Sequence, residues 1–176
     1  ISGNEILKSA SEFGKGIRVL NQEPWETLCS FIISQNNNIP RISGIIERLC
    51  ESFGTPAQGG GYGFPDAAAM SRLTENDLSV LRAGFRNKYL IDAAKKVAEG
   101  EISLEEIKLM PIEQARAELM KIKGVGPKVA ECTLLYGFGR LEAFPVDVWV
   151  KRIMAELYPD GLPECTNNVQ GIAQQY

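Results

Sequence analysis

The stretch Leu119-Met-Lys-Ile-Lys-Gly124-Val-Gly126-Pro-Lys128-Val-Ala130 limits this chain's possible folds more than any other. Pro111 suits the first position of a helix over Ile112 to Met120, and Pro127 precedes a second helix over about Lys128 to Tyr136. The two must double back across Gly124-Val125-Gly126, a turn with almost no side chains. The second helix then offers free N–H groups and the positive end of its dipole to whatever approaches. Such a turn holds a nucleic-acid backbone through its phosphates without reading bases. It fits equally a plain helical hairpin whose glycines only accommodate the backbone, so the turn alone leaves both readings open.

Helical patterning continues on either side. Pro24 opens a near-continuous apolar run to Ser34, as in a buried helix, and Asn36-Asn37-Asn38 breaks it. Ile39 to Phe53 resumes at helical spacing until Gly54. Thr55 to Pro65 is a glycine- and proline-rich loop. Short helices are expected over Asp66 to Leu73 and, after a Thr74 cap, Glu75 to Arg82. Longer ones are expected over Asn87 to Glu99 and Asp147 to Tyr158. A short strand near Arg18-Val19-Leu20 is the one β signal, so the fold class is mainly α.

With 176 residues, 44% of them hydrophobic, the chain can bury one sizeable core or two small helical lobes. No run reaches the ~18 apolar residues that span a bilayer, and Ile1-Ser-Gly-Asn-Glu5 lacks an export signal's pattern. Cys29, Cys50, Cys132 and Cys165 are scattered, which suits reduced thiols and neither a metal site nor a disulfide framework. The net charge of −3 weighs against nucleic acid unless the surface is polarised. Basic residues do gather near the motifs, among them Arg41, Arg86, Lys88, Lys123, Lys128 and Lys151.

The hairpin ending in Lys128, followed by Phe144-Pro-Val-Asp147-Val-Trp149, resembles the helix-hairpin-helix base-excision glycosylases, whose bifunctional members carry a nucleophilic lysine and an essential aspartate at these places. Phe31-Ile-Ile-Ser-Gln-Asn36-Asn37-Asn38-Ile-Pro-Arg41, Gly84-Phe85-Arg86 and Gly126-Pro-Lys128-Val-Ala-Glu-Cys132 resemble the 8-oxoguanine branch in particular. The likeness runs from about Phe13 to Tyr158. Endonuclease III relatives, which act on oxidised pyrimidines, share the hairpin but usually carry an iron–sulfur cluster on closely spaced cysteines, absent here. A non-catalytic hairpin module would have no use for Lys128 paired with Asp147.

The resemblance implies two helical lobes flanking a DNA-binding cleft, and a bifunctional DNA glycosylase/AP lyase acting on duplex DNA with 8-oxoguanine opposite cytosine. Lys128 would be the nucleophile and Asp147 its carboxylate partner, although Asp147 also suits a helix N-cap. Asn36 would fill the gap left by the extruded base, with Asn37 beside it, while Arg41 and Arg86 read the orphaned cytosine and Phe85 wedges into the stack. As residues alone, the asparagines suit a turn and cap, and Phe85 a core position. Gly124, Gly126 and Trp149 would face the backbone; Trp149 replaces the family's usual histidine, and the chain has no histidine at all. Cys132, equally a plausible structural thiol, and Gln174 would line the base pocket. No cofactor is required, though the carbonyls of Met120, Ile122 and Val125 would suit a structural cation.

The same likeness divides the chain into 1–23, the remnant or linker of an N-terminal sheet domain with a first helix; 24–110, a lobe with the asparagine turn; 111–158, the hairpin and catalytic aspartate; and 159–176, an incomplete C-terminal helix. The sheet domain is mostly missing from the chain. A monomer in the cytoplasm or nucleus, neither secreted nor membrane-bound, is expected.

Overall fold

A computed structural model describes residues 3–176, and no strand occurs among them beyond an isolated bridge between Pro56 and Tyr62. The helices are α1 (Glu5–Phe13), α2 (Pro24–Ser34), α3 (Ile39–Phe53), α4 (Ala67–Ser71), α5 (Arg86–Ala98), α6 (Leu104–Ile107), α7 (Ile112–Leu119), α8 (Pro127–Phe138), α9 (Val148–Leu157) and α10 (Gln170–Ala173). Most begin at a residue that satisfies their free amides. Asn4, Glu23, Asn38, Asp66, Ser103 and Asp147 each accept first-turn N–H groups through their side chains.

Helix α2 is the centre of the larger lobe. Six of its residues, Trp25, Thr27, Leu28, Cys29, Ile32 and Ile33, are buried, and Glu26, Ser30 and Ser34, each four residues apart, form its partly exposed stripe. It packs against α8, α3 and α5, and one apolar core runs from Trp25 to Ala143. The expected division at residues 110 and 111 does not cut this core, because α8 lies directly on α2. A smaller lobe joins α1, α9 and α10 around an apolar cavity lined by Ile6, Leu7, Ile153, Leu157 and Ala173. No residue of α9 is buried.

Three local expectations are corrected. Arg18 to Leu20 forms no strand: Val19 packs on the core with no neighbouring strand to pair with. Glu75 to Arg82 becomes a 3₁₀ turn over Asp77–Leu81 that ends where Arg82 turns left-handed at φ 56°. The turn's start is still set by Thr74, which exchanges hydrogen bonds with Asp77. The C-terminal segment holds two short pieces rather than one helix, a 3₁₀ turn at Glu164–Thr166 and α10, separated by left-handed Asn168. No helix among the described residues is long and apolar enough to cross a membrane.

Candidate active site

The hairpin is held from below by α5. Asp92 accepts the Lys123 amide at 2.8 Å and pairs with its ammonium at 3.3 Å, while the Lys96 ammonium donates to the Lys121 carbonyl at 3.1 Å and to Glu101 at 2.8 Å. Gly124 takes φ +79°, and Gly126, with ordinary φ of −97°, stands at the N-cap of α8. A side chain built on Gly126 would meet nothing within 4 Å, so the protein's own packing does not require glycine there. The first main-chain bond of α8 runs from the Ala130 amide to the Gly126 carbonyl, so the Lys128 and Val129 amides before it have no acceptor inside the helix. Of the carbonyls considered for a cation, that of Ile122 already accepts the Val125 amide at 3.0 Å. No cluster of acidic, cysteine or histidine side chains suited to a metal occurs among the described residues.

Lys128 is exposed in the first turn of α8, so the helix terminus rather than burial sets its surroundings. Its ammonium lies 5.4 Å from the centre of the Phe31 ring, which stacks on Tyr136. Cys132, one turn further along α8, is buried. Burial raises its thiol pKa; the adjacent Lys128 charge and hydrogen bond oppose that, and Glu131 and Asp147 reinforce it. Asp147 caps α9 through Oδ1, which accepts the Trp149 and Val150 amides at 2.9 and 2.8 Å. Its Oδ2 takes no protein donor among the described residues and is free to face a substrate.

Gln174 reaches the same region from α10: its Nε2 donates to the Pro145 carbonyl at 2.5 Å, and its Oε1 is buried without a partner. Trp149 is 68% exposed on the first turn of α9, with the Arg152 guanidinium 5.1 Å from its ring.

A second cluster surrounds the asparagine turn. Asn36 adopts φ 46°, Asn37 donates to the Ile33 carbonyl at 3.0 Å, and Asn38 accepts the Arg41 amide. Arg86, only 2% exposed, donates to the carbonyls of Gln35, Asn36 and Ala83. It thereby fixes the turn that carries Asn36. Arg41 donates to the Arg82 carbonyl at 3.1 Å and Arg48 to that of Leu81 at 2.8 Å, so three arginines hold three successive carbonyls where the 3₁₀ turn ends. Phe85 is exposed beside this cluster, with Arg86 at 4.5 Å and Tyr89 edge-on at 5.8 Å.

Residue patterns did not single out Phe31, Tyr89 or Glu131. Phe31 lies within a near-continuous apolar run that hides which face it joins, and Tyr89 within an ordinary helix. A glutamate one turn beyond Lys128 on a buried helix was the available signal for Glu131.

A helical hairpin carrying an exposed lysine, an aspartate capping a later helix and an arginine-braced asparagine turn together define a base-excision scaffold. The chain belongs to the HhH-GPD superfamily of base excision DNA repair proteins, whose family model matches residues 29–163. Among its relatives, the N-glycosylase/DNA lyase of Saccharomyces cerevisiae is 44% identical, across 88% of this chain and 46% of the yeast protein. The probable N-glycosylase/DNA lyase of Methanothermobacter thermautotrophicus is 33% identical, across 87% and 56%. The apo 8-oxoguanine glycosylase/lyase of Clostridium acetobutylicum superposes with a TM-score of 0.91 at 40% identity, over 99% of this chain and 66% of that one. The same enzyme bound to duplex DNA with cytosine opposite 8-oxoguanine gives a TM-score of 0.89 at 41% identity, over 99% and 65%. This chain spans about half the length of the curated relatives it matches.

Proposed function

We propose that this chain supplies the catalytic helical part of a bifunctional DNA glycosylase/AP lyase that excises 8-oxoguanine opposite cytosine. The observation that carries the reading is Lys128, exposed on the first turn of α8 directly after a glycine turn, in a chain whose Asp147 caps α9 with one carboxylate oxygen and leaves the other without a protein donor among the described residues. Gly126 adds to it, since a glycine that the fold does not require leaves room for a phosphate at the start of α8.

In this reading the neutral Lys128 amine attacks the anomeric carbon, and the bond to the base breaks with its electron pair leaving on the base, which takes up a proton. Oδ2 of Asp147 stabilises the positive charge that develops on the sugar. The nitrogen gives up one proton, its lone pair opens the sugar as O4′ takes a proton, and the protonated imine that results draws off the electrons of a C2′–H bond, so that β-elimination of the C2′ proton and the 3′ phosphate cuts the strand. Asn36 fills the vacated space, Arg41 and Arg86 address the orphaned cytosine, and Phe85 wedges beside it. Arg86 keeps one Nη1 hydrogen for this after its bonds to the carbonyls of Ala83, Gln35 and Asn36. Cys132 and the unpaired Oε1 of Gln174 border the base, and Asn37 and Trp149 the backbone.

The chemistry needs no cofactor. The carbonyls of Met120, Ile122 and Val125 would hold a cation, which would supply positive charge for a phosphate at the hairpin. The enzyme would work wherever its DNA is, in the cytoplasm of a prokaryote or in a nucleus.

Borohydride trapping on two duplexes, one with 8-oxoguanine opposite cytosine and one with thymine glycol, tests the substrate class. An adduct with the first alone is expected. An adduct with only the pyrimidine lesion would move the chain to the endonuclease III branch, and none with either would reduce it to a DNA-binding module.

A further inference from the structure

We infer that Glu131 is a positioning residue for excision, its buried carboxylate fixing the segment that carries Asp147 to the helix that carries Lys128. The inference rests on the proposed function above. Glu131 is 6% exposed, and a carboxylate so deeply placed is tolerated only when its oxygens are satisfied. One oxygen takes the Arg116 Nε of α7; the other accepts the Phe144 amide at 2.7 Å.

Residues 144–147 lie outside helix and strand, and none of their amides donates to a backbone carbonyl among the described residues. Pro145 has no amide to donate. The lead-in to Asp147 is therefore located by side chains: Glu131 at the Phe144 amide and Gln174 at the Pro145 carbonyl. Glu131 sits one helical turn beyond Lys128, and Phe144 three residues before Asp147. The Glu131–Phe144 bond thus ties this segment to the helix of the nucleophile, while Gln174 holds the next carbonyl. Arg116, shared with Glu113, pairs with Glu131 and aims it, while the acceptor at Phe144 does the positioning. A misplacement of about 1 Å at a reacting group costs on the order of a hundredfold in rate.

Two substitutions separate positioning from simple support. Glu131→Gln keeps an oxygen for the Phe144 amide and gives up the ion pair; Glu131→Met has similar length and keeps neither. Single-turnover excision on the 8-oxoguanine:cytosine duplex is expected to stay within about threefold of wild type for the glutamine variant and to fall at least about thirtyfold for the methionine variant. Both should bind undamaged duplex as the parent does, because the hairpin is untouched. Equal loss in both variants, or wild-type excision by Glu131→Met, overturns the inference. Hydrogen exchange at the Phe144 amide of the unsubstituted protein decides it even if Glu131→Met fails to fold: protection of about a hundredfold or more is expected, and exchange at the rate of an open amide contradicts it. If the parent itself excises no 8-oxoguanine, the proposed function fails first, whereas a protected amide with an active Glu131→Met protein removes only the role of Glu131.

Discussion

The ring of Tyr89 occupies the space that any side chain at Gly124 would need: a Cβ there would fall 2.4 Å from Cδ2 of the ring. Since Tyr89 also meets Phe85 edge-on, the hairpin turn and the wedge candidate are joined through one aromatic side chain on α5.

The two hairpin glycines should therefore respond differently to alanine. Gly124→Ala combines a left-handed backbone with a clash and should cost roughly 2–3 kcal/mol in urea denaturation. Part of that loss should disappear in a Tyr89→Ala background, which relieves the clash but not the backbone. Gly126→Ala meets open space and should leave stability within about 0.5 kcal/mol while weakening duplex binding severalfold. Unchanged binding by Gly126→Ala would make the turn an ordinary helical hairpin.

Arg41 and Arg86 should part in the same way. Exposed Arg41 makes one side-chain bond, to the Arg82 carbonyl, so Arg41→Met should fold normally and lose preference for cytosine opposite the lesion. Buried Arg86 satisfies three carbonyls, and Arg86→Met should cost about 2–4 kcal/mol on thermal or urea unfolding. Equal excision rates against all four opposing bases in both the wild-type and Arg41→Met proteins would contradict the first expectation, and an unchanged melting temperature the second.

Much of this could be read from residue order alone. Pro24, Pro127 and the glycines fix where α2 and α8 begin and how the hairpin turns, and Lys128 followed by Asp147 marks the candidate site. What escaped depends on contacts distant in sequence. Arg86 and Gln35 are 51 residues apart, Glu131 and Phe144 13, and neither bond leaves a periodic trace. Glu75 to Arg82 looked like an α-helix because its apolar spacing is compatible with both helix types; three arginines taking consecutive carbonyls at its end belong to the tertiary fold. Helix α9, expected from its apolar spacing, keeps Val148, Trp149 and Ile153 exposed, since few neighbours cover it.

The cysteines offer a test by chemical labelling. Thiolate is the reactive form, and burial raises the thiol pKa of Cys29 strongly and of Cys132 despite Lys128 beside it. Iodoacetamide at neutral pH should modify exposed Cys165 first, then half-buried Cys50, with Cys132 and Cys29 last. As the pH rises toward the ordinary thiol range, Cys132 should lag Cys165, because its protonated form persists to higher pH. Early modification of Cys132 in a peptide map would contradict the packing around Lys128.

The central claim is that Lys128 forms the covalent bond to DNA. Reducing the reaction on an 8-oxoguanine:cytosine duplex with borohydride, digesting the adduct and sequencing the DNA-linked peptide by mass spectrometry reads this directly. The account predicts the sugar remnant on Lys128, and no adduct from Lys128→Gln, which should still bind duplex. A remnant on Lys123, Lys151 or any other amine, or strand cleavage retained by Lys128→Gln, would contradict it.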